Sequence, residues 1–448
     1  MPELTIIQIG RKNKATISLR RRLTTGTIWN LIATTFNQGS IFAGNVVVAR
    51  IVGKHAFGEY SIVISTLITV AVLIQLSMGY TATKYVSEFR SIDKDKTGRI
   101  LGLCSIIALC TAILGTLLLI PASPFIATHA MRAPHLSNAL VIGTGYLFFS
   151  AINGYQVGAF AGLEAYNSLA KAAILSGIIS VSGIAVGAWY FQLPGALFGL
   201  SATAMIKCII HNIGLKMELK KNGLSVTYKG FNQEFKIFRT FALPAALSGY
   251  VSMPAMWLGN TILIRQHGGI EQMALYNAAI SFRMLVMFLP VVINNVGMPI
   301  LNNYKGLGEA VRYWKTFRST LVINACAIMV ISLALIISGS VLFNLFGKDF
   351  GGAFPVLKVL LIAAMIEGVS ITIYQIIQSH AKIWQSFMYI AVPYCILFVI
   401  SAHYLAPLYG AVGLAAAYTI GWSLNLLATT MLAFRINKAS KWPQEKVI

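Results

Sequence analysis

The stretch Gly44-Asn45-Val46-Val47-Val48-Ala49-Arg50, with Gly53 and Tyr60 beyond it, decides the fold, because it returns 215 positions later as Gly259-Asn260-Thr261-Ile262-Leu263-Ile264-Arg265, with Gly268 and Tyr276 beyond it. Each copy puts an asparagine in the last turns of a long apolar run and an arginine at its end. Each is followed by a short turn into a second apolar run. Tyr155-Gln156 against Tyr374-Gln375, and Gly195-Ala196-Leu197-Phe198-Gly199-Leu200 against Gly410-Ala411-Val412-Gly413-Leu414, fall near the same offset in the same order. One such match means little in a chain rich in Gly and Ala, but several in register point to two structural repeats.

Of the 448 residues 57% are hydrophobic and only 11% charged, too little polar surface for a water-soluble globule. Runs of about 20 apolar residues span the roughly 30 Å hydrocarbon layer as helices, which satisfy their backbone hydrogen bonds internally. Twelve such runs are expected, at 24–49, 57–83, 100–120, 138–161, 168–191, 195–214, 241–264, 274–300, 319–344, 354–378, 386–405 and 411–434. The expected fold is an all-α integral membrane protein, with two pseudo-symmetric six-helix lobes around a central cavity. Residues 1–214 form the N-terminal lobe, 215–240 a basic linker and 241–448 the C-terminal lobe.

The net charge of +22 is unlike that of a nucleic-acid binder, because its basic residues collect in alternate loops. Lys84 to Arg99, Lys216 to Arg239, Lys305 to Arg318, Lys382 and both basic termini share one side, whereas the other has only Arg50, Lys54, Arg132, Arg265 and Lys348. By the positive-inside rule the first side is cytoplasmic and both termini lie there. The five cysteines lie in apolar runs without CxxC or Cys/His spacing, so neither a disulfide framework nor a metal site is expected. No cofactor is expected either. Pro244, Pro254 and Pro290 are candidate kinks, and Phe231, Phe235 and Phe238 mark an amphipathic helix in the linker.

Polar residues inside the spans narrow the function. Asn30, Thr34, Asn37, Gln38 and Asn45 form a stripe on the first helix, which must face other helices or a wet cavity. Arg283 is the cation set deepest in a span, and Leu67 occupies its place in the first repeat. Arg50 and Arg265 are a repeat-related pair that either snorkel to the interface or face a cavity. Lys207 is expected to snorkel toward the basic side, and Lys358 and Glu367 to pair with other helices. With cations outnumbering Glu59 and Glu367, the cavity suits an anion, and guanidinium forks match phosphate oxygens. The candidate substrate-binding residues are Arg283, Arg50, Arg265, Asn30, Asn37, Asn45 and Asn260.

The run Gly26, Trp29-Asn30, Ala49-Arg50-Ile51-Val52-Gly53, Phe57-Gly58-Glu59-Tyr60-Ser61 and Gly79-Tyr80-Thr81-Ala82-Thr83-Lys84 resembles the opening of the polysaccharide transporter family. These are O-antigen and capsule repeat-unit flippases of the multidrug, oligosaccharidyl-lipid and polysaccharide exporter superfamily. The resemblance implies a protein of the bacterial inner membrane that moves polyprenyl-diphosphate-linked oligosaccharides to the outer leaflet. It also implies contact with membrane lipids and with a polysaccharide polymerase. The alternative within the same superfamily is a multidrug or organic-cation antiporter, which would favour carboxylates in the N-terminal half. An enzyme is not expected, since no paired carboxylates, Ser/His/Asp set or sizeable outer loop is present.

Overall fold

The computed structural model describes the backbone of residues 3–439 apart from Ala381 and, with scattered internal exceptions, the side chains from Ile28 to Lys438. The side chains of the basic arm, of Pro244, Ser248 and Gly249, and the tail from residue 440 lie outside the described residues. Ten long helices carry the fold: α1 (Glu3–Gln75), α2 (Met78–Phe89), α3 (Lys94–Phe125), α4 (Ser137–Gly162), α5 (Tyr166–Lys221), α6 (Leu243–Ile264), α7 (Gly269–Leu307), α8 (Ala310–Ser338), α9 (Ala353–Ser379) and α10 (Val392–Ala439).

Among the described residues, eight helical runs are long and apolar enough to cross a membrane. Three of these are two crossings joined across a non-helical break, at Gly53, at Phe191–Gln192 and at Gly410. With α6 added, the crossings come to the twelve that the sequence predicts. Gly53, at φ +80°, shows how short a turn can be when its residue lacks a Cβ. Helices α6 and α7 continue through Pro254 and Pro290, so neither proline interrupts its helix. The second crossing does break, at Leu76 and Ser77, both at positive φ, and α2 continues it.

The linker packs on the N-terminal lobe. Helix α5 runs on to Lys221, then residues near Thr227 lie along α3, where the Thr227 amide donates to the Gly98 carbonyl at 3.0 Å. A Cβ on Gly102 would stand 2.2 Å from the Thr227 carbonyl, so only glycine admits this segment. Leu224, Ile237 and Ala242 are buried in the same cluster as Ile100, Phe160 and Leu215, and Arg99 pairs with Glu234 at 3.0 Å. The three phenylalanines thus sit in short helical turns from Phe231 to Ala242 rather than in one long amphipathic helix.

The lobes meet at the end opposite the basic loops through a reciprocal contact. Arg50, where the first crossing ends, donates through Nε to the Leu345 carbonyl at 2.8 Å and through Nη2 to the Asn344 carbonyl at 2.9 Å. Arg265, at the end of α6, donates through Nε to the Ala130 carbonyl at 2.6 Å and through Nη2 to His129. Residues 344–345 close the helical turn after α8, and 129–130 close the π-helical extension of α3. Each arginine therefore satisfies carbonyls that a helix of the other lobe leaves unpaired, and it places positive charge at the negative end of that helix.

Packing seals this end further. Phe42 and Phe57 from the N-terminal lobe interleave with Phe282, Phe343, Phe346 and Phe350 from the C-terminal lobe, at centroid separations of 5.1 to 6.0 Å. A Cβ on Gly58 would lie 2.0 Å from the Ile270 carbonyl, so the backbones touch across the seam. Below this seal, Asn45 donates to Ser281 at 3.1 Å, Asn277 to Ser61 at 2.7 Å and Asn260 to Ser65 at 2.8 Å.

Exposed contacts of a cation with a helix end contribute about 0.3–1 kcal/mol each, enough to bias this seal without locking it. In a background free of the five native cysteines, Ser65→Cys should react slowly with an impermeant maleimide applied on the closed side of reconstituted vesicles. Adding Arg50→Ala and Arg265→Ala together should raise that rate by about 3- to 30-fold, the range those energies imply. An unchanged rate would mean that the aromatic packing alone holds the end shut.

Candidate functional site

A pocket of 190 Å³ opens inside the N-terminal lobe, walled by both crossings of α1, by α4 and by both crossings of α5. Amides and hydroxyls stand among its apolar side chains: Asn37, Ser40 and Asn45 from α1, Ser176 and Ser180 from the first part of α5, and Thr203 from the second. Tyr60 and Tyr146 close one side. The walls approach closely enough that a Cβ on Gly177 would stand 2.3 Å from Ser40 Oγ. Lys207 also lines the pocket, its Nζ donating to Asn37 Oδ1 at 3.1 Å. No Asp or Glu is among the described lining residues.

The position of Lys207 corrects the expectation that it snorkels. The sequence ends the sixth crossing near residue 214, whereas the helix runs to Lys221, which leaves Lys207 midway along its second part and turned inward. The signal was present: Thr203, Lys207 and His211 recur at four-residue spacing and form a polar stripe like that of the first helix. His211 itself sits behind the pocket, fully buried, 2.7 Å from the Asn153 amide.

Arg283 lies elsewhere, within the C-terminal lobe. It is 9% exposed, donates to Glu367 Oε2 and Tyr418 Oη, and stands 4.6 Å from the centre of the Tyr418 ring. Glu367 therefore has the partner on another helix that the sequence predicts for it. Lys358 differs, lying exposed over the Phe354 ring at 5.1 Å. The same lobe holds a second buried network, in which Asn324 donates to Asn294 at 2.8 Å and to Thr372 at 2.9 Å. In the first repeat, Leu67 occupies the place of Arg283 and packs into the space above Gly143, where a Cβ would meet it at 2.4 Å.

The seven sequence-derived site residues thus divide among five places. Asn37 and Asn45 line the pocket, Arg283 is in the buried pair, and Arg50 and Arg265 cap helices at the closed end. Asn260 bonds Ser65 across the seam, and Asn30 lies on α1 toward the basic end, its carbonyl accepting from Thr34 at 2.8 Å. Trp257 and Tyr250 of α6 carry the contact between the lobes further, donating to Thr66 Oγ1 at 2.9 Å and to the Leu73 carbonyl at 2.8 Å. A pocket with polar side chains in one of two repeat-related helical lobes is the architecture of a membrane transporter.

Comparison with known proteins gives the same class. A solved multidrug-resistance MATE transporter of the MOP superfamily, in an inward-facing conformation, matches with a TM-score of 0.76 at 14% identity, over 93% of this chain and 100% of that one. A MOP-superfamily transporter from Pyrococcus furiosus, described as having a binding pocket of reversed polarity, matches with a TM-score of 0.69 at 15% identity, over 93% and 94%. Residues 23–305 match the model of the family described as "Polysaccharide biosynthesis protein", and the chain belongs to that family. The EPS I polysaccharide export inner membrane protein EpsE of Ralstonia nicotianae is 22% identical over 429 residues, 92% of this chain and 94% of the relative. That of Ralstonia solanacearum is 21% identical over 417 residues, 90% and 92% respectively. These relatives are exporters rather than enzymes.

The buried pair generates a stability prediction. Leaving one buried charge without its partner costs about 3–5 kcal/mol, whereas replacing both by apolar groups of similar volume is close to neutral. Glu367→Gln alone should therefore lower the thermal unfolding midpoint in detergent much more than Arg283→Met combined with Glu367→Leu. Equal losses in the single and double variants would refute an energetically coupled pair.

Proposed function

We propose that this protein is a flippase that carries polyprenyl-diphosphate-linked oligosaccharide repeat units from the cytoplasmic to the outer leaflet by alternating access. The observation that carries the reading is the makeup of the N-lobe pocket, which offers amides and hydroxyls with one cation and no described carboxylate. Asn37, Ser40, Asn45, Ser176 and Ser180 supply donors and acceptors of the kind that sugar hydroxyls pair with. An organic-cation antiporter would need the opposite polarity there. Membership of the polysaccharide family and the polysaccharide export of the EpsE relatives support the same cargo.

The basic loops face the cytoplasm in this reading, so both termini lie there and the end sealed by Arg50 and Arg265 is the outer one. Cargo enters from the cytoplasmic leaflet, its head group reaching the polar pocket while the prenyl chain stays in the bilayer. The lobes 1–214 and 241–448 then rock, with 215–240 travelling with the first, and the outer seal parts. Arg50 and Arg265 reach the diphosphate only once their present contacts break, so they act late in the cycle, while Arg283 stays paired with Glu367. A membrane potential negative inside drives each exported negative charge by about 2.3 kcal/mol per 100 mV, so export can proceed without ATP.

Deleting the protein should remove the surface polysaccharide and leave lipid-linked repeat units accumulating in the cytoplasmic leaflet. In reconstituted vesicles, imposing that potential should speed translocation of a fluorescent lipid-diphosphate oligosaccharide. Normal surface polysaccharide in the deletion strain would end this reading.

A further inference from the structure

Arg50, Arg265, Arg283 and Lys358 are each accounted for by what they touch. Arg50 and Arg265 are engaged with backbone carbonyls at the closed end. Arg283 is neutralised by Glu367 and held by Tyr418 in the interior of the C-terminal lobe. Lys358 is exposed over Phe354. Lys207 differs from all four. It lines a cavity, its described partner is the neutral amide of Asn37 rather than a carboxylate, and the surrounding wall carries only hydroxyls, amides and apolar groups. An ammonium held this way in a water-excluding lobe keeps two of its three donors for something else. Because such a charge is costly in hydrocarbon unless paired or hydrated, the pocket is poised to take up an anion.

We propose that the Lys207 pocket is a phosphate-binding subsite of the N-terminal lobe, in which the ammonium holds a diphosphate oxygen and Asn37 fixes the direction of the lysine side chain. Ser40 and Thr203 line the same pocket; their hydroxyls donate to the Phe36 and Leu200 carbonyls here and turn to the anion only by giving up those bonds. The volume of 190 Å³ admits a diphosphate or one sugar ring but not both, so the remainder of the head group stays in the space that lobe movement opens. This assignment rests on the flippase reading for its cargo, but it makes Lys207, and not Arg283, the first cationic contact. It also explains how cargo is held before the arginine contacts at the sealed end part.

The test uses the full chain in phosphatidylcholine nanodiscs, titrated with farnesyl diphosphate and separately with inorganic diphosphate, with intrinsic fluorescence or thermal shift as the readout. Wild type should bind farnesyl diphosphate at least tenfold more tightly than Lys207→Met, with Lys207→Arg keeping most of the affinity. If inorganic diphosphate binds with the same Lys207 dependence, the anion alone is the ligand; if only the lipid form binds, a lipid diphosphate is. Equal binding by wild type and Lys207→Met, or no binding of either probe by wild type, overturns the subsite. In cells, a normally expressed Lys207→Met that still delivers full surface polysaccharide overturns it while leaving the flippase reading intact. A deletion strain with normal polysaccharide overturns the flippase reading itself.

Discussion

A positive charge among membrane-spanning helices has to be neutralised, hydrated or drawn to an end, and that constraint arranges the polar chemistry of this protein. Arg283 meets it by pairing with Glu367 and lying against Tyr418. Arg50 and Arg265 meet it at the ends of their helices, where carbonyls of the opposite lobe accept their donors. Lys207 meets it in a pocket with Asn37. Three different solutions give three different roles: the pair rigidifies one lobe, the end contacts join the lobes, and the pocket is left with charge to offer.

The two lobes share a backbone plan but not an interior. Where the C-terminal lobe has Arg283, the N-terminal lobe has Leu67, an apolar side chain that needs no partner and packs above Gly143. The C-terminal lobe must then satisfy Arg283 with Glu367 and Tyr418, and Asn324 further joins Asn294 to Thr372. A polar network in low dielectric is costly unless its members find partners, so these helices are drawn together by it. The N-terminal lobe carries instead the space that Asn37, Asn45 and Lys207 line. The duplication supplies the frame, and the polar side chains differ between its halves.

The crossings and their pairing into repeats were legible because hydrocarbon thickness and helical period leave few ways to write a spanning segment. Arg50 and Arg265 were visible as a symmetric pair, but their acceptors were not. The Leu345 and Ala130 carbonyls lie 295 and 135 residues away in sequence and carry no side-chain signature. Arg283 and Glu367 were each visible as charges inside spans, yet 84 residues on separate helices hide that they meet. The depth of Lys207 is hidden for a simpler reason. The helix carries on to Lys221, past the point where hydropathy falls and the basic loop begins in the sequence.

The sealed end shows why no single contact there need be strong. A carrier that alternates between two states needs each to be reachable, so the free-energy difference between them has to stay within a few kcal/mol. Two exposed arginine caps, three amide-to-hydroxyl bonds across the seam and a ring cluster are each modest, and each breaks into partners that water can satisfy. A buried ion pair between the lobes would fail this requirement, because parting it strands a charge at a cost of several kcal/mol. The buried pair of Arg283 with Glu367 lies wholly inside the C-terminal lobe, away from the contacts between the lobes. The strong interaction thus lies within a lobe and the weak ones between lobes.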